Sequence, residues 1–249
     1  MRGSDLIRLK EIHYEIDGAI IIDGLSFSAR KNEFVSIIGP SGCGKSTLLR
    51  IIAGLIPPTK GEILYEGRRI EKPRKEISFV FQDFALLPWL TNLENVKLGL
   101  SNFDVTEAEG DAVAEDLLKK MGLDGFENSY PNVLSGGMKQ RVGLARALAM
   151  KPSVLLMDEP FSSLDELTAN TMRKDILSML KATDVPVNLV IMVTHNVEEA
   201  VELSDRIVVL SNKPTKLRAI KEVKLDRPRK RRGRKFDDIV DEIYADLTG

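Results

Sequence analysis

Apolar and polar positions divide the chain into stretches of different period. Residues 6–29 alternate around a turn at Asp17-Gly18, the two-residue period of half-buried strands. Phe34-Val35-Ser36-Ile37-Ile38 is a short apolar run that predicts a buried strand, and Leu48–Leu55 has the spacing of a helix packed on a sheet. Pro57-Pro58-Thr59-Lys60-Gly61 breaks the pattern, and Glu62–Tyr65 with Gly67 predicts a further hairpin. Ile77–Phe81 reads as another strand. From Asn92 to about Met150 the period becomes helical, with Val113, Leu117, Leu118 and Met121 on one face and Gly122 as a stop. Val154–Met157, Asn188–Val193 and Arg206–Leu210 are apolar strands separated by a helix reaching about Lys181. Finally, Phe236, Ile239, Val240, Ile243, Tyr244 and Leu247 form the apolar stripe of an amphipathic helix.

Composition narrows the class. At 249 residues, with 43% apolar and 29% charged residues, the chain can bury a real core and is not disordered. A net charge of −1 argues against a dedicated nucleic-acid binder. The single cysteine, Cys43, allows no intramolecular disulfide, which favours a reducing compartment. No apolar run approaches the roughly 20 residues needed to span a bilayer, and the N-terminus lacks a signal-peptide pattern. The expectation is a cytoplasmic protein whose membrane role, if any, is peripheral.

Candidate chemistry gathers at strand ends. Gly39-Pro40-Ser41-Gly42-Cys43-Gly44-Lys45-Ser46-Thr47 stands between a strand and a helix, the context of a phosphate-binding loop. Glycines let the backbone approach phosphate oxygens, N–H groups turn inward, and the positive helix end lies beneath the anion. Lys45 is placed for the β- and γ-phosphates and Ser46 for Mg²⁺. Cys43 fills a tight turn or, beside a helix N-terminus, carries a lowered pKa. Gln82 follows a strand and is placed to touch a metal or its water. Ser135-Gly136-Gly137 opens a helix with a serine cap and small residues, a second anion site that predicts ATP held between two copies. Asp158 ends a buried strand, where a carboxylate can hold the Mg²⁺ shell, and Glu159 can polarise the attacking water. His195, also at a strand end, can hydrogen-bond the γ-phosphate.

Other residues leave two readings open. Tyr14 is half-buried packing or an adenine stacker. Phe84–Leu90, containing the only tryptophan, Trp89, covers core or meets a partner. The basic run 221–235 faces anionic lipid or is a solvated linker whose helix packs back on the core. His13 reads as a solvated residue.

These motifs, in this order, resemble the nucleotide-binding subunit of ABC transporters. The likeness rests on the phosphate loop 39–47, Gln82, Leu134-Ser135-Gly136-Gly137, Asp158-Glu159, and Ser163-Leu164-Asp165 followed by His195. It implies an α/β fold with a P-loop NTPase (RecA-like) core, an N-terminal antiparallel β subdomain and an inserted α-helical subdomain. The expected division is 1–86 and 153–215 for the ATP-binding core with its β subdomain, 87–152 for the helical subdomain, and 216–249 for a basic tail. The resemblance further implies that Tyr14 stacks on adenine and that Gln82 senses Mg²⁺ and water. Glu159 is then the catalytic base and His195 the switch histidine, with Lys45 and Gln82 completing the catalytic set. Ser135-Gly136-Gly137 clasps the ATP of the opposite subunit, and Asp165 lies at the dimer interface. Met138 stands where many relatives carry glutamine, a departure that spares the backbone and serine contacts.

A finer likeness, to cassettes of nitrate, sulfonate and taurine importers, rests on Phe81-Gln82-Asp83 with Leu86–Leu90, Tyr130-Pro131, Met138 and Asp226–Arg229. The broader resemblance implies ATP and Mg²⁺ as cofactors and a homodimer in the ATP-bound state, and the finer one a membrane permease docking near Phe84–Leu90. A separate substrate-binding protein, no nucleic acid, and a place on the inner face of the cell membrane follow from the same likeness. The other readings carried forward are a cassette for another cargo or an exporter, a soluble ABC ATPase acting on DNA or ribosomes, and a non-hydrolysing ATP-binding regulator.

Overall fold

The computed structural model describes residues 5–101, 103–181, 186–229, 231 and 233–248. In chain order the elements are β1 (Asp5–Ile16), β2 (Ala19–Arg30), β3 (Glu33–Ile38), α1 (Lys45–Ile52), β4 (Lys60–Tyr65), β5 (Arg68–Arg69) and β6 (Ile77–Val80). There follow α2 (Asn92–Lys97), α3 (Glu107–Lys120), α4 (Gly136–Ala149), β7 (Val154–Asp158) and α5 (Glu166–Lys181). The chain then runs through β8 (Leu189–Val193), α6 (Val197–Leu203), β9 (Arg206–Leu210), β10 (Leu217–Glu222) and α7 (Arg234–Thr248). They fall into two compact units, Met1–Arg74 with Asn188–Gly249, and Lys75–Val187.

In the first unit β2, β1, β4 and β5 form an antiparallel sheet. Its strands alternate buried and exposed positions, as one wet face requires. Irregular register in β1 accompanies the left-handed φ of 46° at Glu11, a bulge that bends the strand. A second sheet places β3 between β8 and β9, all parallel, with β10 antiparallel on β9. Here β8 and β9 are buried at every residue, the pattern of parallel strands covered on both faces. Val197, Ala200 and Val201 of α6 and Phe236, Val240 and Ile243 of α7 join one core cluster with Ile207 and Val209.

The helix that follows the basic run packs back on the core, as the second reading expected, but arginines of the run fold onto α6 and are not a solvated linker. Arg229 Nη1 donates to the Val201 carbonyl at 2.8 Å, Arg227 donates to the Leu203 carbonyl, and Arg231 pairs with Glu202 at 2.7 Å. Arg227 and Arg229 thus meet carbonyls at the C-terminal end of α6, and Arg231 meets a carboxylate there. Burial, then the like charge of Arg227, pulls the Arg229 guanidinium down to about 10. His13 is likewise not simply solvated: its Nδ1 lies 3.2 Å from Asp23 Oδ1.

In the second unit β6 and β7 pair in parallel. Thr91 and Thr106 open α2 and α3 with reciprocal capping boxes to Glu94 and Glu109. Helix α4 packs against its neighbours on several sides, so Val142, Gly143, Leu144, Ala145, Ala147, Leu148 and Ala149 are buried together.

Candidate functional site

In the first unit the loop 39–44 leaves the buried end of β3 and enters α1. Gly42 and Gly44 take left-handed φ of 73° and 108°, turning the backbone between strand and helix. The Cys43 N–H donates to the Pro40 carbonyl at 3.2 Å, closing the turn. No side chain caps α1 and no acidic residue lies in its first turn, so its positive end faces the loop without a neutralising group. The Lys45 ammonium is buried and donates to the Gly39 carbonyl at 2.9 Å and the Pro40 carbonyl at 3.0 Å, which folds its charge back over the loop. Ser46 and Thr47 are half-buried behind it. Cys43 is buried, and desolvation raises its thiol despite the neighbouring Lys45. The lowered pKa is therefore corrected: Cys43 fills the turn.

His195 leaves the same end of this sheet. Ile37 of β3 is in register with Val193 of β8, and the Thr194 N–H donates to the Ile37 carbonyl at 3.2 Å. The next residue, His195, is exposed two residues beyond the end of β8, and the loop begins one residue beyond Ile38. Tyr14 is half-buried on β1 in register with Ile22.

The second unit holds the remaining candidates. Asp158 closes β7 and is 3% exposed. Glu159 turns away through a left-handed φ of 44°, uncommon for a residue with a Cβ, and the Ser162 N–H and hydroxyl hold its carbonyl at 3.2 and 3.0 Å. The chain thus leaves β7 at Glu159 through a strained backbone, where strand alternation alone was expected. Gln82 is exposed shortly after β6, whose Val80 is in register with Met157.

Ser135 caps α4, accepting from the Met138 N–H at 3.3 Å, with no acidic residue in the first turn. Gly136 and Gly137 open the helix against the segment that begins α5. A Cβ on Gly137 would come within 2.5 Å of Thr168 Cγ2, and Gly136 faces Leu164 and Ser163. Asp165 caps α5 in turn: Oδ1 accepts from the Thr168 N–H at 3.0 Å and Oδ2 from its hydroxyl at 2.6 Å. The Thr168 hydroxyl and then its N–H hold the Asp165 carboxyl below the ordinary range. The Ser135–Gly137 and Ser163–Thr168 segments therefore meet through Thr168.

Phe84–Leu90 is held from within this unit. The Asn95 amide, wholly buried, accepts from the Leu87 N–H at 2.8 Å and donates to the Leu87, Leu90 and Thr91 carbonyls at 3.1, 3.2 and 3.0 Å. Arg146 donates to the Phe84 and Ala85 carbonyls at 2.7 and 2.6 Å, across residues with left-handed φ of 63° and 47°. Burial lowers the pKa of Arg146. Sequence reading missed Arg146, whose one signal is a cation set between Ala145 and Ala147 on a buried helix. Trp89 projects from this rigid loop 69% exposed, so it covers no core.

The donors at Ser46, Gln82 and Asp158 are a hydroxyl, an amide and a carboxylate, all hard oxygen ligands of the kind Mg²⁺ takes. Among the described residues no cluster of three or more His, Cys, Asp or Glu forms a metal cage.

The model of the ABC transporter family matches residues 22–162. The aliphatic sulfonates import ATP-binding protein of Bacillus cereus is 45% identical over 90% of this chain and 86% of its own length. The bicarbonate transport ATP-binding protein of Synechocystis is 45% identical over 85% of this chain, which spans 32% of that longer protein. A solved ATP-binding cassette, a dimer in a post-hydrolysis state bound to ADP and phosphate, superposes with a TM-score of 0.76 at 33% identity, covering 88% of this chain and 100% of that one. These matches bear out the expected fold, a RecA-like P-loop core with an N-terminal β-sheet and an inserted helical subdomain.

Proposed function

Because this chain belongs to the ABC transporter family, we propose that it is the ATP-hydrolysing subunit of an import complex for a small oxyanion. One observation carries the reading: two uncapped or serine-capped helix N-termini, those of α1 and α4, each without acidic residues in the first turn. Such ends bind anions, and a chain that has two of them is suited to a nucleotide shared head-to-tail between two copies.

In this reading Lys45 and the N–H groups of 39–47 bind the β- and γ-phosphates, and Tyr14 stacks on adenine. Ser46, Gln82 and Asp158 hold Mg²⁺, which neutralises phosphate charge when bound. Glu159 accepts a proton from the attacking water, His195 orients the γ-phosphate, and Ser135, Gly136 and Gly137 of the opposite copy close the site with Asp165 at the interface. Rate comes mostly from positioning and charge stabilisation, so closure of the dimer and hydrolysis are linked. The proposed core comprises 1–86 and 153–215, the signature-bearing helical subdomain 87–152, and the C-terminal segment 216–249.

The relatives' names divide between aliphatic sulfonates and bicarbonate. Their shared chemistry, a small oxyanion, is therefore a better cargo proposal than nitrate, sulfonate and taurine alone. A permease docking at Phe84–Leu90 and a separate binding protein complete the complex, on the inner face of the membrane.

The test is Glu159→Gln, assayed for ATP binding, turnover and size. Binding is retained, turnover falls by about 10²–10⁴, the contribution of a general base, and an ATP-dependent dimer accumulates. Normal turnover removes Glu159 from its role. Co-purification of this variant with ribosomes or DNA, and with no membrane protein, overturns the transport reading.

A further inference from the structure

The phosphate loop is braced from outside by a residue that belongs to none of the motifs. Thr215 lies between β9 and β10 in the first unit, wholly buried. Its hydroxyl donates to the carbonyl of Cys43. The backbone of Thr215 is itself fixed: its N–H donates to the Ile21 carbonyl at 2.8 Å, and its carbonyl accepts from the Asp23 N–H at 3.0 Å. The surrounding turn is closed by the Ser211 N–H on the Lys216 carbonyl at 3.0 Å and the Lys216 N–H on the Ser211 hydroxyl at 2.9 Å. Lys216 then pairs with Asp23 at 3.0 Å. The donor that reaches Cys43 is thus set in a frame of β2 and the 211–216 turn.

The direction of that bond matters. In a planar trans peptide the C=O and the following N–H point opposite ways. Holding the Cys43 carbonyl outward, toward Thr215, aims the Gly44 N–H the other way, into the loop. Inward-pointing successive N–H groups are what make an anion-binding nest. Gly44 is pressed from the same side, since a Cβ on it would lie 2.9 Å from Ile21 Cγ2 and 3.7 Å from Thr215 Oγ1. Left unpaired, the Cys43 carbonyl would be free to flip its peptide or seek another donor, and the lysine of the loop already donates elsewhere, to Gly39 and Pro40.

We propose that Thr215 is a positioning residue for nucleotide binding: its hydroxyl presets the Cys43–Gly44 peptide so that the Gly44 N–H is aimed at phosphate before ATP arrives. This rests on the reading of 39–47 as the ATP site, and it adds a residue from the distant end of the chain to that site.

The experiment is a titration of wild type, Thr215→Val, Thr215→Ser and Lys45→Ala with ATP carrying a fluorophore on the ribose, in Mg²⁺. Valine keeps the shape and loses the donor; serine keeps the donor. Loss of one hydrogen bond is expected to raise the Kd of Thr215→Val about 3- to 10-fold, while Thr215→Ser stays within about 2-fold of wild type and Lys45→Ala loses most binding. Should Thr215→Val fail to fold, Thr215→Ala removes the donor without bulk and is read by the same criterion. Wild-type affinity in the donor-free variant, with Lys45→Ala impaired, overturns the role of Thr215. Equal weakening by serine and valine overturns it too, because the effect is then one of packing. Absence of nucleotide binding by the wild type overturns the ATP site itself.

Discussion

Single residues in this protein act through the backbone groups they hold. Arg146 is the clearest case. Its guanidinium supplies two donors to consecutive carbonyls in a left-handed stretch, and few other side chains span both. Arg146→Met leaves two part-buried carbonyls without their charged donor. We expect a loss of about 3 kcal/mol in urea unfolding, with Arg146→Lys recovering only part of it, since an ammonium is a point charge. Unchanged stability in Arg146→Met would mean that the Phe84–Ala85 turn holds itself. Glu159 belongs to the same scale: its φ of 44° puts strain at the residue proposed as the base, next to an Asp158 that keeps ordinary strand geometry.

Elements are begun and ended by side chains more than by propensity. The helices α2 and α3 are short or weakly apolar, and each opens with a capping box. Thr106→Ala should cost about 1 kcal/mol, read as a lower urea midpoint at constant slope. The partner carboxylate of that box has a pH signature. The Thr106 N–H, then its hydroxyl, holds the Glu109 carboxyl below its ordinary 4.5. A lowered folded-state value stabilises above the unfolded value and is lost as pH falls through the folded one. The stability gap between wild type and Glu109→Gln is therefore expected at neutral pH and should close in acid below pH 4.5; a gap independent of pH would remove the charge from the cap. By contrast α1 and α4 lack acidic residues in their first turns, which leaves their N-termini open to anions.

At the scale of the molecule, the phosphate loop belongs to the first unit and Phe84–Leu90 to the second. Trp89 stands 69% exposed on a loop pinned by Asn95 and Arg146. An aromatic anchor on a rigid base suits a protein partner, because little ordering remains to be done on binding. Trp89→Ala should leave ATP affinity intact and weaken co-purification with the proposed membrane subunit at least tenfold. Undiminished recovery of that partner would place the docking surface elsewhere.

Much of this was legible in the chain because it is local. A buried strand, a glycine turn and a helix are contiguous from Phe34 to Leu55, so the phosphate loop could be read from order and period alone. The same holds for the strand ending at Asp158, for the helix opening at Ser135 and for the amphipathic stripe of α7. Other features depend on contacts between residues far apart in sequence, which no local period encodes. The sequence offered no reason to place Thr215 beside Cys43, to set Arg146 on the Phe84 and Ala85 carbonyls, or to turn the basic run onto the end of α6. It also missed β10, whose alternation in Leu217–Glu222 is short and half polar. Family and elements are thus set by motifs and periodicity along the chain, whereas the bracing of those motifs is decided by which distant donors the folded core brings to their carbonyls.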